Sequence, residues 1–181
     1  QEVYDHPEGL TVVTQQAVWR RHDAKWVTVP TLQSIARAMM LDRAVLPDGR
    51  TLWATVQGIY ITEEEKIVDH LVHNSDNPHS LSHQICLKLL VDNQGSIWVG
   101  TGQGINYYTP ALAQVQRFDK YTQFPFTLPE EQVQAICYAQ DDLLIGTTKG
   151  ILWVEDFVPF TNKAPQTRWY SEEDLPYSSI Q

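Results

Sequence analysis

"VDNQGSIWVGTGQGINYY" (91–108) holds an acidic turn, a tryptophan, a glycine-bracketed second turn and a tyrosine pair, yet no nucleophile, general base or metal-ligand cluster. Copies of it elsewhere in the chain explain the pattern. "TGQGI" (101–105) matches "TVQGI" (55–59) and "TTKGI" (147–151), so Thr-x-x-Gly-Ile recurs at Thr55, Thr101 and Thr147, at intervals of 46 residues. A fixed period of this length marks a repeat architecture, whose units bury a core only against their neighbours. Upstream of each threonine lies an apolar strand, "TLWA" (51–54), "SIWVG" (96–100) or "DLLIG" (142–146), with Trp53, Trp98 and Leu144 as bulky members. Downstream runs a second strand, "IYI", "INYY" or "ILWV". A weaker copy, "EGLTVV" (8–13), keeps Gly9-Leu10 and lacks the threonine.

The turns repeat as well. "PDGR" (47–50) and "DNQG" (92–95) put an Asp acceptor and a Gly tolerant of positive φ where a tight reversal needs them, and the third copy shortens this to "AQDD" (139–142). Each unit reads as an apolar run, a turn, a Trp-bearing strand, a Gly turn, an aromatic strand and a polar strand such as "AQVQRFDKY" (113–121). Four short strands in about 45 residues is the size of a propeller blade. Helical spacing shows only in "LQSIARAMML" (32–41), where Thr31 is placed to cap a helical turn over 31–38 in a loop insertion before an innermost strand at 39–46.

The fold expected is therefore all-β: a single partial β-propeller domain over 1–181, with about three full four-stranded antiparallel blades. These run over about 39–75, 84–121 and 132–170. Residues 1–30 supply the later strands of a partial blade, and 175–181 begin another. Propellers close with about four to eight blades, and an open arc exposes two apolar flanks. Self-association through those flanks, or the rest of a longer parent propeller, is the expected partner.

Composition narrows the function classes. The 181 residues carry 43% hydrophobic residues, and 13 Lys+Arg against 22 Asp+Glu give a formal charge of −9, which excludes a phosphate-backbone partner on electrostatic grounds. Apolar runs such as 85–91, broken by Lys88, are too short to span a bilayer, and no basic-then-apolar leader opens the residues given. Cys86 and Cys137 form no CxxC pair and read as small core residues.

The stretch "HNSDNPHSLSHQICLKLLVDNQGSIWVGTGQGINYY" (73–108) resembles the two-component regulator propeller repeat. That pattern runs Asn-Pro-x-Ser-Leu-Ser, an apolar strand, Asp-x-x-Gly-x-Ile-Trp-x-Gly-Thr, then Gly-Leu-Asn and an aromatic. "DLPYSSIQ" (174–181) resembles its lead-in to a further blade. The chain departs from the pattern at "WAT" (53–55) and in the third copy, which lacks the Trp and the turn Gly. The resemblance implies the periplasmic, ligand-sensing propeller of a membrane-anchored bacterial signalling protein, non-catalytic itself. The output module it implies is a histidine kinase, in hybrid form or not, or a diguanylate cyclase. The ligand expected is a small molecule or an oligosaccharide, with no cofactor. A propeller scaffold for protein–protein contacts is the other class.

No ligand-binding residue is assigned from the sequence, and no catalytic or metal residue. His70, His73, His79 and His83 cluster in "DHLVHNSDNPHSLSH" (69–83), but Asn77-Pro78 breaks the helix that would put His79 and His83 on one metal, so a solvated connector is expected. Trp53, Trp98, Tyr60, Tyr107, Tyr108 and Trp153 recur at blade positions and are expected to pack between sheets, whereas Trp19, Trp26 and Trp169 fall outside them and are candidates for exposed contacts. "DNQGSIW" also resembles the Asp-box turn of sialidase-like propellers, with one residue too many between Asp92 and Gly95. A glycosidase needs two carboxylates at controlled separation, and Asp42, Asp48, Asp92 and Asp141 are expected instead as caps at or near turns.

Overall fold

The computed structural model describes residues 2–92, 95–109, 115–119, 126–129, 132–158 and 164–174. Among them, sixteen strands form four antiparallel meanders of four. The first is β1 Glu2–His6, β2 Gly9–Val13, β3 Val18–His22 and β4 Lys25–Thr28; the second is β5 Met40–Val45, β6 Thr51–Thr55, β7 Gly58–Glu63 and β8 Lys66–Leu71. The third is β9 Cys86–Val91, β10 Ile97–Thr101, β11 Gly104–Tyr108 and β12 Val115–Phe118; the fourth is β13 Val133–Ala139, β14 Asp142–Thr147, β15 Gly150–Glu155 and β16 Gln166–Ser171. The last three sheets run over 40–71, 86–118 and 133–171, the last ending one residue past the expected bound of 170. The N-terminal segment, expected to hold only later strands, has all four, because Glu2–His6 pairs with Gly9–Val13 from Glu2↔Val13 to His6↔Gly9. The lead-in at 175–181 lies outside the described residues.

The Thr-x-x-Gly signature is a turn device. Thr55, Thr101 and Thr147 pair with Gly58, Gly104 and Gly150 across two-residue reversals. Each threonine hydroxyl donates to the glycine carbonyl, at 2.8, 2.9 and 3.2 Å, and accepts the backbone N–H two residues on. The glycine has a second reason. Gly58 has φ +102°, and a Cβ there would lie 2.2 Å from the Leu71 carbonyl oxygen of the next strand. Gly104 and Gly150 approach the Phe118 and Tyr170 carbonyls in the same way, so the residue that turns the hairpin also admits the outer strand.

First strands of successive sheets stand side by side. β5 lies against β9, and β9 against β13. Asp42 in β5 accepts the Leu89 N–H of β9 at 3.0 Å and sits 3.7 Å from Lys88 Nζ. Toward the first sheet, Arg43 donates to Glu2 at 3.3 Å and lies 3.9 Å over the Tyr4 ring. Asp42 is thus not at a turn as expected: it lies within a strand, where the edge N–H of the neighbouring blade takes its carboxylate.

Three cores fill the three joints between sheets. Between the first and second, Val13, Val18 and Trp53 enclose Leu32, Ile35 and Ala36 from a 3₁₀ turn (Pro30–Leu32) and α1 (Gln33–Arg37). The expected helical insertion is therefore a plug in that joint. Thr31 does not cap it: no side chain does, and Thr31 lies inside the 3₁₀ turn. Between the third and fourth sheets, Trp98 is fully buried among Tyr107, Phe118, Phe126 and Phe157. The middle joint is built of Leu46, Leu52, Ala54, Ile59, Ile61, Leu81, Cys86, Ile97 and Val99.

Trp53 and Trp98 are not equivalent. Trp53 stands two residues before its threonine and Trp98 three. Since strand side chains alternate in direction, Trp53 faces back to the first sheet and Trp98 forward to the fourth. In the "WAT" departure Ala54 takes the position of Gly100 and is fully buried in the middle joint, whereas a Cβ added at Gly100 would meet Val133 at 2.7 Å.

Candidate inter-blade binding site

The middle joint leaves a cavity of about 280 Å³ between the second and third sheets. Its second-sheet wall is Leu52, Ile59, Ile61 and Leu71; the third-sheet wall is Ile97, Val99, Asn106 and Tyr108. Leu81 enters from the connector, and Leu46, Arg50, Asp69 and His79 complete the lining. The walls are apolar because these positions face a neighbouring blade.

The polar groups are held from behind. Asn106 is 1% exposed, and its Oδ1 accepts the Ser82 backbone N–H at 3.0 Å and the Ser82 hydroxyl at 2.9 Å. Ser82 Oγ also lies 2.9 Å from Thr101 Oγ1. The Ser-Leu-Ser and Gly-Ile-Asn pieces of the repeat, 24 residues apart, are thus two halves of one buried network. Because a backbone N–H can only donate, it fixes Oδ1 toward Ser82 and leaves Nδ2 on the other side. That Nδ2 is buried with no hydrogen-bond partner. Arg50 is paired to Asp48, Nη2 to Oδ2 at 2.7 Å. Its hydrogen bond holds the Asp48 carboxyl below the ordinary value, so Asp48 is ionised at neutral pH, the reverse of what a general acid requires.

The histidine connector is occupied by turn chemistry. His70 stacks on Tyr60 with centroids 3.9 Å apart and has Nε2 2.8 Å from the Gln57 carbonyl; His73 Nδ1 is 2.7 Å from the Leu81 carbonyl; His83 Nδ1 accepts the Ile85 N–H at 3.1 Å. The His79 N–H donates to Asn77 Oδ1 at 2.9 Å, and His79 lines the cavity. Arg117 clasps the same loop through the carbonyls of Asn77, Ser80 and Leu81. Among the described residues, no three His, Cys, Asp or Glu side chains are gathered as metal ligands.

The expected acidic caps divide. Asp92 accepts the Ser96 N–H at 2.8 Å, Asp48 caps Arg50, and the Asp141 carbonyl accepts from Phe157 N–H at 2.9 Å. Of the aromatics expected between sheets, Trp53, Trp98 and Tyr107 are buried, while Tyr60 and Tyr108 are half-buried. Trp153 is half-buried on the outward face of the last sheet, its Nε1 donating to Asp142 at 2.8 Å. Trp19 and Trp26 are exposed as expected. Trp169 is not: it packs against the core of the last joint, because its partner Leu152 faces inward. The cavity itself was not read from the sequence; its signal is Leu52 standing at the repeat position of Trp98.

No protein-family model and no curated protein matches the chain. Solved structures do. The chain superposes with TM-score 0.72 at 17% identity on "the extracellular domain of the putative hybrid two component system BT3049 from B. thetaiotaomicron", covering 94% of this chain and 24% of that one. The chain has a β-propeller fold. The corresponding domain of BT4673 from the same organism matches at TM-score 0.57 and 14% identity, over 93% of this chain and 24% of that one. PorZ, a surface component of the type-IX secretion system of Porphyromonas gingivalis, matches at 0.58 and 16% identity, over 92% and 26%. The propeller arc spans about a quarter of the length of each. No helix among the described residues is long and apolar enough to cross a membrane.

Proposed function

We propose that this arc is part of the extracytoplasmic, ligand-sensing propeller of a bacterial two-component signalling protein, in which a hybrid histidine kinase is the output. The arc itself performs no catalysis. The observation that carries the reading is the superposition on the BT3049 extracellular domain along 94% of the chain. It is supported by the Ser82–Asn106 network, which gives the two-component regulator repeat motif a structural purpose. Ligand binding at a joint between blades biases a two-state arrangement that the distant module reads.

Further blades of the same parent cover the flanks. On the first sheet, the face opposite Val13 and Val18 carries Val3, Val12, Trp19 and Trp26. On the last, Ile151, Trp153 and Tyr170 stand opposite Leu152. In isolation the 181-residue chain self-associates through these faces. A monomer in sedimentation at high concentration overturns this part.

The reading is tested in cells with the complete parent protein. Alkaline phosphatase fused after Ser171 is expected to be active, as it is only outside the cytoplasm; an inactive fusion refutes the placement. Ligand-dependent output is expected to disappear when residues 2–174 are deleted, and unchanged output refutes the sensor role. The PorZ likeness favours a scaffold as second reading, in which that deletion removes a bound protein partner and leaves no ligand response to lose.

A further inference from the structure

The three joints are filled unequally, and the difference lies at equivalent positions. The forward face of the third sheet carries Trp98, Tyr107 and Phe118. Counting from Thr101 and Gly104, and from the strand partner of Ile105, the second sheet has Leu52, Ile61 and Leu71 at those places. All three line the cavity. The opposing wall differs too. Asn106 and Tyr108 stand in the third sheet where the fourth has Leu152 and Val154. The middle joint has therefore lost aromatic volume on one side and gained two polar groups on the other. Packing defects of this size destabilise a fold; the last joint has an unpartnered buried N–H of its own at Trp98 Nε1, so what sets the middle joint apart is the exchange of aromatic for aliphatic side chains around open volume.

We infer that the cavity between the second and third blades binds an uncharged, compact apolar molecule of about ten non-hydrogen atoms. The size follows from volume: an apolar cavity of ~150 Å³ holds benzene, so about 280 Å³ holds nearly twice as much. The class follows from the lining. Most of the wall is aliphatic, Leu52, Ile61, Ile97 and Val99 among it, and the Asn106 Nδ2 lies buried behind it, so a sugar's hydroxyls would find few partners. A carboxylate is disfavoured, because Arg50 is already neutralised by Asp48 and Asp69 adds a negative charge to the lining. The inference deepens the ligand-sensing reading by naming the ligand class, but binding is measured without reference to signalling.

The test uses the 181-residue chain and three probes of similar size: acetophenone, ethylbenzene and benzoate. Saturation-transfer NMR and calorimetry are expected to show acetophenone and ethylbenzene binding, with benzoate at least about tenfold weaker. Leu52→Trp, which copies the third sheet at the same register, is expected to abolish binding while raising thermal stability. Circular dichroism confirms that Leu52→Trp is folded, and Ile61→Phe, which fills the same cavity, serves as the second variant with the same expected loss of binding if it is not. No acetophenone binding at millimolar concentration, equal binding by Leu52→Trp, or benzoate binding as tightly as acetophenone overturns the inference. A propeller that binds acetophenone without any signalling output sinks the sensor reading and leaves the site standing.

Discussion

The carboxylate of Asp42 accepts the Leu89 N–H at 3.0 Å from a different blade, 47 residues away in sequence. An inner strand has no further strand to pair with on its axial side, and this side-chain clasp satisfies one of its donors. Asp42→Ala is expected to destabilise the chain by about 1–3 kcal/mol in urea unfolding, the cost of leaving such a donor unsatisfied, whereas Asp42→Asn retains most of the bond. Equal midpoints for Ala and Asn variants would show that the clasp contributes nothing.

Two glycines separate steric from conformational demand. Gly58 and Gly49 both have positive φ, +102° and +89°, but a Cβ on Gly58 meets the Leu71 carbonyl at 2.2 Å and one on Gly49 meets nothing within 4 Å. Gly49→Ala is expected to cost about 1 kcal/mol, as left-handed backbone does for a residue with a Cβ. Gly58→Ala is expected to cost at least about 3 kcal/mol, since the outer strand must move. Comparable losses from both substitutions would remove the close-approach explanation for the repeat glycine.

Trp98→Leu places the second sheet's residue in the third sheet. Trp98 is fully buried, so the substitution opens a cavity in the last joint and is expected to cost about 3 kcal/mol. The reciprocal Leu52→Trp is expected to raise the melting temperature, and opposite signs in the two melts are the diagnostic result.

The two thiols are expected to differ in reactivity. Burial pushes the Cys86 thiol up to about 12, while Cys137, also expected in the core, is exposed on β13. In native buffer at pH 8, iodoacetamide is expected to modify Cys137 alone, by mass spectrometry. The native state holds the Cys86 proton after the unfolded chain has released it, so stability is expected to fall as pH rises from about 9 toward 12. A Cys86→Ala variant losing stability equally steeply over that window rules out this thiol as the source.

The blade register was legible in the sequence because Thr-x-x-Gly is fixed by local turn chemistry, the same at Thr55, Thr101 and Thr147. The first blade was only half legible. Its copy lacks the threonine, and "EVYDH" in β1 carries no repeat residue to mark it as a strand. The middle cavity lies in a difference between copies rather than in a motif. Leu52, Ile61 and Leu71 are ordinary strand residues until the facing partner of each is known. The plug from Leu32 to Ala36 was visible as a helix, but which joint it fills depends on how the connector folds back, and that is set by packing.

That plug, with the aromatic cluster at the far joint, makes the arc unevenly filled. Two seams are packed with bulk, a short helix at one and aromatic rings at the other, while the seam between the second and third sheets is clasped by Asp42 and keeps open volume. Anything lodged there is a shim between two blades, and its thickness bears on the angle at which they meet.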